Sequence, residues 1–144
     1  MNRSIVGAGL VIGAVLFAVL AVGAARAAAA KPAIALVCTV QPGIGAKGGL
    51  ETAGLCEIFR LRIEAITGTP VRLAAATPKG TRARWITLDI RAPRRNALEA
   101  RMTSMLSGRR IGHTPIAIDV MDKAIGRRDV DSLAQVVAKQ LVVR

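Results

Sequence analysis

Aromatic side chains are nearly missing from this chain: Trp85, Phe17 and Phe59 are all it has, with no tyrosine. Their scarcity removes the stacking platforms on which single-stranded nucleic-acid binding depends, so nucleic acid is not an expected partner, and it obliges any core to be aliphatic. Histidine occurs once, as His113, and cysteine twice, as Cys38 and Cys56, which leaves no set of four ligands for a structural zinc site. The two cysteines are too far apart for a Cys-x-x-Cys redox pair. No metal or cofactor is expected. Acidic residues are also sparse, 9 against 21 lysines and arginines, so paired carboxylates for glycoside cleavage find no support.

The chain does contain a long uncharged run. Arg3 and the amino terminus precede Ile5 to Ala25, which carries no charged side chain, and an alanine-rich tract follows through Ala30. This order of basic, apolar and small residues predicts an export signal over residues 1–30, cut after Ala27 or Ala30. The apolar run exceeds an ordinary signal and approaches the length of a bilayer span, so an uncleaved amino-terminal anchor is the alternative. The residue pattern before Cys38 lacks the small residue of a lipoprotein signal. Residues 31–144, about 115 in number, then form one exported domain, periplasmic or held at the inner membrane facing the periplasm. In that compartment Cys38 and Cys56 are expected to form a disulfide.

The pattern along the domain alternates between two periods. Ala33 to Val40 reads as a buried strand, and Leu50 to Ile66 fits either a strand alternation or a helix face, its length favouring a helix stopped by Gly68 and Pro70. Val71 to Ala76 reads as a short strand. Ile86, Leu88 and Ile90 alternate with Trp85, Thr87, Asp89 and Arg91, and a turn at residues 93–96 leads to a second alternating run from Leu98 to Met102. Ile116, Ile118 and Val120 form a last strand. Asp129 to Ser132 offer helix caps ahead of a stripe of Leu133, Val136, Val137 and Leu141. The predicted fold is α+β, a two-layer sandwich of a mainly antiparallel sheet of four to five strands with two helices on one face, in the order strand, helix, strands, helix.

Net charge is +12, and Arg82, Arg84, Arg91, Arg94, Arg95, Arg109 and Arg110 crowd a stretch whose only acids are Asp89 and Glu99. Such a field attracts anions. A GC-rich genome would also yield arginine and alanine in excess without any partner. Trp85, on the polar side of its strand and placed alongside Arg91, is a contact candidate for a lipid interface or a sugar. Gly43-x-Gly45-x-x-Gly48 lies between a strand and a helix as a dinucleotide loop would, but no acid follows the next strand to hold a ribose, so a plain flexible loop is expected, with Lys47 a weak anion candidate. His113 near Ser104, Ser107, Asp119 and Asp122 allows a hydrolase triad to be imagined, without a nucleophile elbow to support it. The expected function is a non-catalytic exported accessory or binding domain whose basic face engages an anionic envelope component or an acidic protein. A membrane-tethered interaction module and an enzyme of unrecognised type are the alternatives.

Overall fold

In the computed structural model, residues 32–46, 49–121 and 123–143 are described; the predicted leader, its cleavage sites, Lys47 and Asp122 lie outside them. Eight elements follow one another: β1 (Ile34–Val40), α1 (Thr52–Thr67), β2 (Val71–Leu73), β3 (Trp85–Arg91), β4 (Ala97–Met105), β5 (Arg110–Gly112), β6 (Ile116–Asp119) and α2 (Arg127–Lys139). They form an α+β fold in the expected order of strand, helix, strands and helix.

The sheet is mainly antiparallel, as expected, but not strictly so: three of its five pairings are antiparallel and two parallel, and it has six strands where four to five were expected. Its path is β2, β1, β3, β4, β5, with β6 also pairing to β4. β1 runs parallel to both of its neighbours, β2 and β3. The first pairing follows from α1, because a helical crossover returns the chain to start β2 beside the start of β1. Beyond β3 the chain meanders, and β3 with β4 and β4 with β6 are antiparallel as predicted, while β4 also pairs antiparallel with β5, a strand the sequence pattern did not mark. β5 and β6 share one edge of β4 because Pro115, which cannot donate to a ladder, separates them.

Residues paired directly across strands point to the same side of a sheet. Leu36 faces Ile86, Cys38 faces Leu88, and Leu88 in turn faces Met102, so one face carries the aliphatic side chains. α1 and α2 pack against each other and against that face, α1 over β1 and β2, α2 over β4 and β6. α1 buries Leu55, Ile58, Phe59 and Ile63, spacings that resolve the strand-or-helix ambiguity in favour of a helix stripe. Phe59 is fully buried and is the one aromatic among the largest core side chains, which are otherwise leucine, isoleucine and valine.

Helix ends follow local chemistry. α1 stops at Gly68, whose left-handed φ of 60° suits glycine and whose N–H donates to the Glu64 carbonyl at 2.9 Å. Arg60 and Glu64 then grip the start of β2: the guanidinium donates to the Val71 carbonyl at 3.1 Å, and the Glu64 carboxylate accepts the Val71 N–H at 2.9 Å. α2 begins earlier than the acidic cluster suggested, with Gly126 as the cap and Asp129 accepting its N–H at 2.9 Å. Val136, predicted to be in the buried stripe, is instead exposed, and Val130, Ala134 and Ala138 complete the buried side with Leu133 and Val137. Arg62 of α1 pairs with Asp131 of α2 at 2.6 Å and ties the helices on their outer side.

Cys38 and Cys56 are bonded, with Cα atoms 5.8 Å apart, and join the middle of β1 to the first turns of α1. A disulfide of this kind fits a chain that folds outside the reducing cytoplasm. Removing it by Cys38→Ala with Cys56→Ala releases a loop of 18 residues and should lower stability by about 3 kcal/mol in urea denaturation. Phe59→Ala should cost about 3–5 kcal/mol by the same measurement, since nothing aromatic is present to refill the cavity. An unchanged urea midpoint in either variant would contradict this packing.

Candidate functional site

The strands sort the arginines into two separate poles. Lys79, Arg82 and Arg84 lie just before β3, and Arg109 and Arg110 enter β5, which pairs with the end of β4; the register Trp85 to Met105 to Arg110 brings these ends together. Arg94 and Arg95 sit in the turn that follows β3. Seven residues of strand separate the two groups, a distance of about 20 Å. The single basic face expected from the sequence is therefore split.

At the first pole an in-register row crosses the open face of the sheet: Arg72, Ala35, Trp85, Met105 and Arg110. Trp85 is half-buried, and the Arg110 guanidinium lies 6.0 Å from its ring centroid, within reach of a cation–π contact. The tryptophan's neighbour is thus Arg110 and not Arg91, which lies six residues farther along the same strand. Arg84 is turned inward, donating to the carbonyls of Leu106 at 3.2 Å and Pro32 at 3.4 Å. Its role is to hold the chain entering β1 against the turn leaving β4. Arg82 and Arg109 are exposed and have no partner among the described residues.

Toward the end of β3 on the open face the charges cancel. Arg91 pairs with Asp89 at 2.5 Å and Arg101 with Glu99 at 2.5 Å, while the register sets Asp89 opposite Arg101 and Arg91 opposite Glu99. Both acids of the basic stretch are used here. Arg91, one of the anion-binding candidates, is thus already paired with a carboxylate.

The glycine loop after β1 is built from turns. Ile44 is buried, the Leu50 N–H donates to the Gly45 carbonyl at 2.9 Å, and a Cβ on Gly45, at φ 77°, would stand 2.9 Å from the Leu50 Cβ. Glycine is needed there for closure of the loop. α1 begins after it with Glu51 at the cap position, which places a carboxylate where a dinucleotide site would receive phosphate.

Of the imagined triad, the structure joins Ser104 and His113, whose Oγ and Nε2 lie 2.7 Å apart. Ser104 is 3% exposed on the helix-covered face, out of reach of a substrate. Asp119 lies on β6 opposite Ala97, at the other end of β4, and Ser107 in the turn after β4. No carboxylate among the described residues bonds the imidazole. The pair satisfies a buried hydroxyl, and the geometry does not present a nucleophile. Among the described residues no group of histidine, cysteine and acidic side chains could hold a metal, and no helix is long and apolar enough to cross a membrane.

Arg110 was singled out by charge alone; its contact with Trp85 was illegible because β5, three residues with no alternation, gave no strand signal. No family model matches the chain, and no curated protein matches it. A solved structure described as the crystal structure of an uncharacterized protein aligns with 76% of this chain and 85% of its own, at 9% identity and a TM-score of 0.43. That likeness is too slight to carry an argument.

Burial holds the His113 imidazole below its ordinary value of 6.5. Between the unfolded value and this lower folded value the unfolded chain binds more protons, so stability is full above about pH 6.5 and falls as pH drops below it. Urea midpoints measured from pH 7.5 to 5 should show this decline, and His113→Gln should make it shallower. An equal slope in the variant would contradict the assignment.

Proposed function

We propose that this chain is an exported, non-catalytic binding domain that docks on an anionic phospholipid surface through the pole where β1 and β3 begin. The observation that supports this reading most directly is the composition of that pole. Residues 79–85 and 105–113 contribute Lys79, Arg82, Arg84, Arg109 and Arg110 with no acidic residue, and place Trp85 among them. Tryptophan prefers the headgroup level of a bilayer, where its ring is half wet, and each lysine or arginine near an anionic surface adds roughly 1 kcal/mol.

The route of the chain supports the same orientation. Pro32, the first described residue, is bonded through its carbonyl to Arg84, so the predicted leader joins the domain at this pole. An apolar run retained in the bilayer would set Arg82, Arg109 and Arg110 against the headgroups; a cleaved one leaves a domain that binds the same surface peripherally. The periplasm is the compartment this reading assigns.

Flotation with vesicles tests it, using the protein recovered from the exported fraction of cells that express the full sequence. Vesicles of phosphatidylcholine with 30–40% phosphatidylglycerol (about one anionic lipid in three) should carry the protein at low salt and release it near 0.5 M salt, where the screening length is only a few ångströms. Arg109→Glu with Arg110→Glu should reduce binding by at least tenfold, whereas reversing Arg127 and Arg128 at the opposite end should change it less than twofold. Equal retention on vesicles of phosphatidylcholine alone, or equal loss from both double reversals, would overturn the proposal.

A further inference from the structure

Three loops leave the carboxyl ends of β1, β3 and β6 at the second pole and enclose a cleft of about 590 Å³. Open sheets with parallel strands commonly bind ligands in the crevice outside those carboxyl ends, and this volume suits a small solute. The loops are tied to one another. The Gln41 N–H donates to the Ile90 carbonyl at 2.9 Å, the Gln41 side-chain oxygen accepts the Ala92 N–H at 3.0 Å, and the Val120 N–H donates to the Asn96 carbonyl at 2.6 Å. A frame of this kind holds its side chains in place before any ligand arrives.

The side chains it presents are donors. With its oxygen occupied, Gln41 is left with an amide NH2 that has no partner among the described residues. Arg95 likewise has none, and its guanidinium offers a planar fork of donors. The Lys123 ammonium donates one hydrogen bond to Asp129 at 3.0 Å and has two more N–H donors to offer. Asp129 is anchored in turn by the Gly126 N–H, which together with Lys123 holds its carboxyl below the usual carboxylate range, so this positioning contact stays charged. Asn96 adds a side-chain amide to the rim. No acidic residue among the described ones lines the cleft, which leaves the dinucleotide reading without a ribose partner and leaves Arg95 without a counter-charge there, while Lys123 keeps Asp129 as its partner behind the cleft wall.

We infer that this cleft binds a small solute through a carboxylate or phosphate group, received by Arg95 and Lys123 and oriented by Gln41 and Asn96. The site is independent of the membrane-docking pole and stands or falls without it. On a docked domain it would face away from the bilayer, open to the surrounding solution.

Amide NMR of the exported protein tests the site, with inorganic phosphate and succinate titrated separately at constant ionic strength. Saturable shifts are expected at Gly43, Gly45, Asn96 and Lys123, with one of the two anions binding more tightly and so separating a phosphate ester from an organic acid as the natural ligand. Arg95→Gln should weaken that binding by at least tenfold, and Lys139→Gln, at the far end of α2, should leave it within twofold. Shifts that never saturate, shifts spread equally over both poles, or an Arg95→Gln variant that binds as well as the parent would each overturn the site.

Discussion

Every other feature of this domain is arranged around β1, which lies parallel to β2 on one side and to β3 on the other. Parallel pairing sends the chain out of β1 and β3 at the same end, and the antiparallel returns through β4 bring β6 out there as well. All the loops that follow these three strands therefore gather at one pole, and the chain entry and the β4–β5 turn gather at the other. The disulfide from Cys38 to Cys56 fixes α1 against the strand that sets this arrangement, and the fully buried Phe59 fills the layer between them. In a chain with so few aromatic side chains, that covalent link and that ring carry an unusual share of the packing.

The same arrangement decides what the arginines can do. Seven of them looked like one basic face, but a strand of seven residues keeps Arg82, Arg109 and Arg110 apart from Arg94 and Arg95, and Asp89 and Glu99 pair with Arg91 and Arg101 near the far end of that strand. Charge of one sign survives only where the acids are absent. One such place is a broad, exposed surface with a tryptophan in it, suited to another surface; the other is a cleft with amide donors, suited to a small anion. Two different uses of positive charge thus follow from one sheet.

Much of the fold was legible because its signals are local. Alternation at Ile86, Leu88 and Ile90 marked β3, Gly68 and Pro70 marked the end of α1, and the cysteine pair behind an expected export leader marked the disulfide. What stayed hidden is non-local. Nothing in residues 110–112 distinguishes a three-residue strand from a turn until the long edge of β4 is there to receive it, and the parallel placement of β1 depends on a crossover that periodicity does not encode. Val136 was assigned to the buried stripe of α2 because its spacing from Leu133 permits it, yet the helix is rotated so that Ala134 and Ala138 take the inward places, small side chains that let α2 approach the sheet. The site shows the same limit. Trp85 was correctly put on the face opposite the core, but the choice of Arg110 over Arg91 as its neighbour needed a cross-strand register, and Gln41, Asn96 and Lys123 gave no signal because amides and a lone lysine in loops are individually unremarkable.

If the two poles are separate surfaces, as proposed, only the one at the start of β1 meets a membrane. Paramagnetic broadening of amide signals by a headgroup spin label, in bilayer discs containing phosphatidylglycerol, measures this directly. Strong broadening is expected at residues 82–85 and 106–112 and none at residues 43–45, 94–96 and 123–125. Broadening at the second pole, or uniformly over the domain, would contradict it.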